Sequence, residues 1–88
     1  MRILLIDDDP LSCKAVYDFL TVQLGHDVTQ CDNGSEGIKR YEDTHFPLII
    51  SDIRMPGVDG IQMLDYIKKL PQGRFTDIVL FTGYGNMD

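Results

Sequence analysis

Acidic residues follow two apolar runs of this 88-residue chain, at the positions where each run ends. Asp7 and Asp8 come directly after Ile3–Ile6, and Asp52 closes the run that begins at Leu48. Carboxylates held about 5 Å apart repel by roughly 3 kcal/mol per pair at an effective dielectric near 20. Such a group must take up protons or be neutralised by a cation. Oxygen ligands of this kind suit Mg²⁺, which keeps several waters and uses one or two carboxylates.

A hydroxyl follows another apolar run, because Thr82 comes directly after Ile78–Phe81. A metal ion beside an aspartate and a threonine hydroxyl is suited to phosphoryl transfer, in which positioning and charge neutralisation supply most of the catalysis. Aspartate can itself accept a phosphoryl group and form an aspartyl phosphate. These residue types therefore predict a site that handles phosphate, built from Asp7, Asp8, Asp52 and Thr82.

The spacing of apolar residues predicts the elements that position these side chains. Three short runs that are mainly apolar predict strands at Ile3–Ile6, Leu48–Ser51 and Ile78–Phe81, and the shorter and weaker pattern of Val28–Cys31 predicts another. Helical periodicity lies between them, so the predicted fold is α/β, a parallel sheet with helices on both faces and right-handed crossovers. In a flavodoxin-like, doubly wound order of 2-1-3-4 the first and third strands are neighbours. Ligands bind beyond the carboxyl ends of such strands, which is where the acids lie.

Caps and stripes predict the three helices. Asp9, Asn33 and Asp59 are each suited to cap the helix that follows, and Pro10 is tolerated in the first turn. The first helix, which Gly25 ends, has a predicted buried face that consists of Leu11, Ala15, Val16, Phe19, Leu20 and Leu24. The third helix has a predicted buried stripe of Ile61, Leu64, Ile67 and Leu70.

Composition excludes several classes of function. The formal net charge is -6, so the scattered Lys and Arg residues cannot form a basic surface for nucleic acid. No apolar run approaches the ~18 residues that span a membrane, and none has the pattern of a signal peptide. Cys13 and Cys31 have no zinc-ligand spacing and are expected to be reduced thiols in the core. We therefore expect a cytoplasmic protein that binds neither nucleic acid nor membrane.

Three segments resemble the receiver domain of bacterial two-component response regulators: I-D-D-D-P at 6–10, S-D-I-R-M-P-G-V-D-G at 51–60 and F-T-G-Y-G at 81–85. The resemblance implies that Asp52 accepts a phosphoryl group from a sensor histidine kinase or a phosphotransfer protein. It also implies that Mg²⁺ is bound by Asp8 directly, by Asp7 through water, by Asp52 and by the backbone carbonyl of Arg54. Thr82 would contact the phosphoryl oxygens and move as a switch. A receiver of this kind is a phosphoacceptor and not an enzyme.

The resemblance ends after the fourth strand, whereas receivers have five βα units. We therefore expect residues 1–88 to be a single receiver domain that is incomplete at its C-terminus. The missing fifth unit would include a lysine that contacts the phosphoryl group, and no residue here matches it. The uniformly apolar fourth strand would then be a sheet edge, so we expect dimerisation through it, exchange of elements with a partner, or partial unfolding.

Two other functions are weighed against phosphoryl acceptance. The first is a receiver-like interaction module that works without phosphorylation. The second is an aspartate-nucleophile phosphohydrolase of the haloacid-dehalogenase type, which the run Asp7-Asp8-Asp9 fits loosely. Leu11 stands where that class has Thr or Val, and no later Lys or acidic pair appears. Labelling of Asp7 instead of Asp52 would be the mark of the phosphohydrolase.

Overall fold

A four-stranded parallel sheet forms the centre of the computed structural model, which describes residues 1–81. Its strands are β1 (Arg2–Ile6), β2 (Asp27–Cys31), β3 (Leu48–Asp52) and β4 (Asp77–Phe81), in the spatial order β2-β1-β3-β4. The helices between them are α1 (Pro10–Asp18), α2 (Gly34–Asp43) and α3 (Gly60–Lys68). The predicted α/β class, the order of the elements and the 2-1-3-4 arrangement are confirmed.

One face of the sheet, which we term the α2–α3 face, is closely covered over β1 and β3. Its buried cluster joins strand residues to side chains of both helices and of the neighbouring loops: Leu4, Ile6, Cys31, Tyr41, Phe46, Ile49, Met55, Met63 and Ile67. Directly before the start of β4, the hydroxyl of Thr76 lies 2.6 Å from the hydroxyl of Tyr41 and donates to the carbonyl of Phe46 at 3.2 Å. This face therefore combines close apolar packing with a satisfied buried hydroxyl pair.

The opposite face, which we term the α1 face, is covered over only part of its width. Ile3, Leu5 and Val28 are buried beneath Cys13 and Leu20. Farther across the sheet Leu48 and Ile50 are only half-buried, and Val79, the β4 neighbour of Ile50, is 50% exposed. Apolar surface thus remains open over β3 and β4 on this side, within the residues that the structure describes.

The predicted buried face of the first helix is wrong in part. Leu11 is 80% exposed and Phe19 54% exposed, and the residues turned to the sheet are Cys13, Val16, Tyr17 and Leu20. The α-helical part ends at Asp18, and a π-helical segment, Phe19–Gln23, follows it without a break. A π-helical turn contains about one residue more than an α-helical turn. Because the segment has apolar residues on two sides, periodicity alone could not select the side that packs.

The predicted stripe of the third helix is displaced by about half a turn at its start. Ile61 is 51% exposed, whereas Met63 is fully buried and Ile67 is buried as predicted. Leu70 packs partly against the same cluster. Met63, Ile67 and Leu70 follow the i, i+4, i+7 spacing, so the true stripe was present but less apolar than the predicted one.

Two further expectations concern the cysteines and the membrane. Cys13 and Cys31 are both free and buried, which confirms that they are thiols of the core. Among residues 1–81 no helix has the length and apolar character needed to cross a bilayer.

Candidate functional site

The acids meet at the carboxyl ends of β1 and β3 because these strands are hydrogen-bonded neighbours. Ile6 pairs with Ser51, so Asp7 and Asp52 leave adjacent strands at the same level. One side-chain oxygen each from Asp7, Asp8 and Asp52 lies within 4.8 Å of the others. The structure therefore brings together three of the residues that the sequence predicts for the site.

These carboxylates differ in burial and in their hydrogen bonds. Asp7 is 2% exposed and Asp52 8% exposed, whereas Asp8 is open to solvent. Asp7 Oδ1 accepts from the backbone N–H of Asp9 at 3.0 Å, but its Oδ2 is buried without a hydrogen-bond partner among the described residues. An unpaired buried carboxylate oxygen is costly. A cation at this position would remove that cost.

The electrostatics of Asp52 reflect the same crowding of charge. Burial raises the pKa of the Asp52 carboxyl above its usual value, and the nearby charges of Asp7 and Asp8 raise it further. The backbone N–H of Arg54, which donates to Asp52 Oδ1 at 3.2 Å, lowers the pKa and so opposes the rise. The ionised form that a nucleophile requires is therefore less stable here than it is in water, and a nearby positive charge would stabilise it.

The donor set is suited to Mg²⁺. All the candidate ligands are oxygens, and two ligands of one octahedral Mg²⁺ at 2.0–2.1 Å lie roughly 3–4 Å apart. The 4.8 Å span of the three oxygens is slightly larger, so it accommodates direct contact by some carboxylates and contact through water by another. Asp8, as the exposed member, has the greatest freedom to adjust. The residues present therefore fit the ion.

Two glycines shape the loop that carries the site from β3 into α3. A Cβ at Gly60 would come within 2.5 Å of the carbonyl oxygen of Asp52, so only glycine allows α3 to begin against the residue that carries the carboxylate. Gly57 has a φ of +75°, which other residues rarely adopt. Asp59 then caps α3 with a capping box, as its position predicts.

The other predicted caps also lie at this edge. Asp9 accepts from the backbone N–H of Leu11 at 3.1 Å, and Asn33 accepts from that of Glu36 at 2.8 Å. Both interactions confirm the caps expected from sequence. They set the directions in which α1 and α2 leave the edge that holds the acids.

A cavity of about 500 Å³ opens beside the acids, toward β2. It is lined by Asp7, Asp8, Pro10, Cys13, Gln30, Cys31, Asp32 and Glu36. Burial raises the pKa of Cys31 to about 11, and burial also raises the pKa of Cys13, whose thiol donates to Gln30 Oε1 at 3.2 Å. Both thiols are therefore protonated near neutral pH, and they line the cavity without acting as ligands or nucleophiles.

The predicted roles of two further site residues stay predictions. Thr82 lies outside the described residues, and its contact with a phosphoryl group stays a prediction. The role of the Arg54 carbonyl as a metal ligand also stays a prediction, although the backbone N–H of Arg54 does bind Asp52. The N–H of Ile53 donates to the carbonyl of Phe81 at 2.8 Å, so the end of β4 lies next to the loop that follows Asp52.

Sequence reasoning missed residues on the β2 side of the site. Asp32 and Glu36 line the cavity, and neither was singled out from the sequence. The available signal was positional, because Asp32 directly follows β2 just as Asp7 directly follows β1. The weak apolar character of β2 made that position hard to recognise.

Comparison with known proteins gives a consistent family. The model of the response regulator receiver domain matches residues 3–88. The chain is 33% identical over 84 residues to the signal transduction histidine-protein kinase BarA of Shigella flexneri, covering 96% of this chain and 9% of that protein. It therefore corresponds to a small part of that relative's length.

Solved structures of receivers have the same fold. The chemotaxis response regulator CheY4 of Vibrio cholerae superposes with a TM-score of 0.82 at 25% identity, over 97% of this chain and 70% of that one. Response regulator TrrA of Thermotoga maritima, solved with Mg²⁺-BeF, gives 0.81 at 30% identity, over 96% and 70%. TrrA has also been solved in complex with the histidine kinase ThkA, where the TM-score is 0.83 at 30% identity over 97% and 71%.

Proposed function

This chain belongs to the response regulator receiver domain family, and on that premise we propose that Asp52 accepts a phosphoryl group from a histidine kinase or a phosphotransfer protein in a Mg²⁺-dependent reaction. The observation that carries the proposal is the convergence of Asp7, Asp8 and Asp52 within 4.8 Å at one sheet edge. The buried Oδ2 of Asp7, which has no hydrogen-bond partner within residues 1–81, adds support because a cation would satisfy it. The family match does not favour a phosphohydrolase.

The chemistry is a transfer between two side chains. A carboxylate oxygen of Asp52 attacks the phosphorus of a phosphohistidine, a P–O bond forms and the P–N bond breaks. The electron pair of that bond returns to the imidazole nitrogen, which takes a proton from solvent, and the product is an aspartyl phosphate. The domain is changed once per transfer and turns over no substrate, so we propose a signalling role and not an enzymatic one.

Particular residues would divide the work. Asp8 would hold Mg²⁺ directly, Asp7 through water, and Asp52 and the Arg54 carbonyl would complete the protein's ligands. The ion, when bound, would neutralise charge at the acids and on the transferring phosphoryl group. The N–H of Arg54 orients one Asp52 oxygen, which leaves the other for attack. Thr82 would bind the phosphoryl oxygens and report the change to the rest of the domain.

We propose that the kinase contacts the exposed side of α1. Apolar residues recur there from the first turn into the π-helical segment, and Leu11 and Val22 are 80% and 74% exposed. This stripe starts two residues after Asp9, so a partner seated on it also reaches the acidic edge. The complex of TrrA with ThkA supports a histidine kinase as the class of partner.

A second copy of the chain is the other proposed partner. Within residues 1–81, β4 pairs with β3 on one side only, and Val79 on it is 50% exposed. An apolar strand in this position favours pairing with another strand. Sedimentation velocity tests the proposal. We expect the wild type to be a dimer and Val79→Lys to be a monomer, and a wild type that stays monomeric at high concentration would overturn it.

We propose that this protein is located in the cytoplasm, where free thiols persist.

Labelling with acetyl phosphate and Mg²⁺ tests the function. We expect one phosphoryl group per chain, lost at alkaline pH as an acyl phosphate is, and no label in Asp52→Ala. Asp32→Asn is the matched control, since Asp32 lies at the same edge but outside the cluster of Asp7, Asp8 and Asp52. Asp7→Ala should only weaken the labelling.

The remaining outcomes separate the alternatives. Label that persists in Asp52→Ala but disappears in Asp7→Ala would identify a nucleophile at Asp7 and favour the phosphohydrolase. A wild-type chain that binds a kinase but takes no label would favour the interaction module that works without phosphorylation.

A further inference from the structure

The loop that follows Asp52 is held at its beginning by hydrogen bonds. This loop, residues 53–59, connects β3 to α3. The backbone N–H of Arg54 donates to Asp52 Oδ1 at 3.2 Å, and the N–H of Gly60 donates to the carbonyl of Ile53 at 2.9 Å. These bonds fix the residues next to the carboxylate, so the position of the rest of the loop depends on what its far end contacts.

The far end of this loop lies against the first residue of α2. A Cβ at Gly34 would overlap the carbonyl oxygen of Val58 and would lie 3.1 Å from the Cβ of Val58, so the two backbones are in direct contact. Gly34 is buried, and it is not among the glycines with a positive φ. Glycine is therefore needed here for the close approach of two backbones and not for an unusual backbone conformation.

The helix α2 is itself fixed relative to the acidic edge of the sheet. The side chain of Asn33 accepts from the backbone N–H of Glu36 at 2.8 Å, which closes the first turn of the helix. One turn after Gly34, a Cβ at Gly37 would overlap the side chain of Ile6, the residue directly before Asp7. Because α2 rests on the end of β1, its first residue is a fixed point against which the loop after β3 packs.

We propose that Gly34 is a positioning residue for phosphoryl acceptance by Asp52, an inference that rests on the function proposed above. Its contact with Val58 sets how close the loop lies to the acids. The contact thereby places the backbone of Arg54, whose N–H orients Asp52 and whose carbonyl is a proposed Mg²⁺ ligand. Because the atom that a Cβ would overlap belongs to the backbone, any side chain at this position would displace the loop. Gly34 touches neither the metal nor the phosphoryl group and acts only through Val58.

Gly34→Ala tests the proposal. We expect it to weaken Mg²⁺ binding about tenfold, as the loss of a residue that supports a metal ligand does. Labelling by acetyl phosphate at saturating Mg²⁺ should also slow about tenfold, because Asp52 is no longer oriented correctly. In NMR spectra without Mg²⁺, the amide proton of Arg54 should shift as its bond to Asp52 lengthens. Alanine is a better helix former than glycine, so helix propensity alone would not produce these losses.

Three further variants separate positioning from a general loss of stability. Ser35→Ala introduces alanine at the next residue of the same turn, which is exposed, and should match wild type. Ile67→Val removes a buried methyl group about two turns from the start of α3, so it should lower stability but keep the Mg²⁺ affinity. Val58→Gly loosens the contact from the side of the loop without adding an atom, and it should weaken Mg²⁺ binding about two- to threefold. Because both changes act on one contact, the double variant of Gly34→Ala and Val58→Gly should bind Mg²⁺ no more weakly than Gly34→Ala alone.

The two proposals fail in different ways. If Asp52→Ala retains the label, the proposed function is wrong and the inference falls with it. If the wild type is labelled at Asp52 but Gly34→Ala binds Mg²⁺ and takes the label as the wild type does, the inference alone is wrong. If Gly34→Ala does not fold, wild-type Mg²⁺ affinity in Val58→Gly would overturn the inference. A loss of Mg²⁺ affinity in Ile67→Val as large as that in Gly34→Ala would also overturn it, since any destabilised variant would then behave alike.

Discussion

The two faces of the sheet differ in how completely they are covered, although they share the same strands. On the α2–α3 face, Ile49 of β3 is fully buried among residues of both helices. On the α1 face, the next residue, Ile50, is only half-buried. The α2–α3 face thus supplies most of the stable packing, whereas the α1 face retains apolar surface that can contact other chains. The two faces therefore differ both in what they contribute to stability and in how much apolar surface they leave exposed.

The largest expected effect compares identical substitutions in neighbouring residues of β3. Ile49→Ala should lower the free energy of unfolding by about 3–4 kcal/mol, because it opens a cavity in closed packing. Ile50→Ala should cost only about 1–1.5 kcal/mol, since that side chain is partly in water. Urea unfolding measures both, and Ile49→Val and Ile50→Val repeat the comparison if Ile49→Ala does not fold. Equal losses at the two positions would show that the faces are equally covered.

Magnesium should stabilise the domain by the next largest amount. At a concentration of about 100 times Kd a ligand that binds only the folded state adds about 2.7 kcal/mol. Asp8→Asn should lose most of this gain, whereas Ile50→Ala should keep it, because the acids lie at the strand ends and not on the α1 face. Thermal melts at several Mg²⁺ concentrations provide the measurement. Equal Mg²⁺ shifts in wild type and Asp8→Asn would contradict a metal site at these residues.

The success of sequence reasoning differs between the edge and the faces for a physical reason. The cap residues Asp9, Asn33 and Asp59 were predicted correctly because a cap bonds a backbone N–H only two or three residues away. The acidic cluster was also predicted, because neighbouring parallel strands must deliver the residues at their ends to one place. Local bonding and strand order are both readable from sequence.

The side of a helix that packs is decided by tertiary contacts instead. Leu11 of α1 was predicted to be buried but is exposed. Met63 of α3 was not part of the predicted stripe but is fully buried. The π-helical segment Phe19–Gln23 adds a further change of register that no sequence rule indicated.

The ionisation of Asp52, at the sheet edge that both faces share, should have a smaller effect on the free energy of unfolding. The folded-state pKa of Asp52 is raised, so its contribution to stability is present below the unfolded pKa of about 3.9 and is lost as pH rises through the higher folded value. Without Mg²⁺, Asp52→Asn should therefore be more stable than wild type at pH 7, and the difference should vanish in acid.

Unfolding by urea at a series of pH values in chelated buffer checks this, and Asp32→Asn serves as the control for loss of an exposed acid. Saturating Mg²⁺ should shrink the advantage of Asp52→Asn, because bound positive charge favours the ionised wild-type carboxyl. An advantage that grows toward low pH would have the wrong sign for a raised pKa.

The smallest expected effect on stability sharpens the contrast between packing and recognition on the α1 face. Leu11→Ala should change the free energy of unfolding by no more than about 0.5 kcal/mol, since Leu11 is 80% exposed and alanine is a good helix former. Leu20→Ala, the same change at a residue that is 8% exposed, should cost about 2–4 kcal/mol.

The rate of phosphoryl transfer from a kinase should depend on the exposed residue, Leu11, although stability does not. With a cognate kinase as donor, Leu11→Ala should slow transfer several-fold, while labelling by acetyl phosphate stays unchanged because the small donor does not contact α1. A Leu11→Ala variant that destabilises the fold would place this residue in the core after all. One that transfers from the kinase at the wild-type rate would remove Leu11 from the recognition surface, and the kinase would then have to contact the acidic edge by another route.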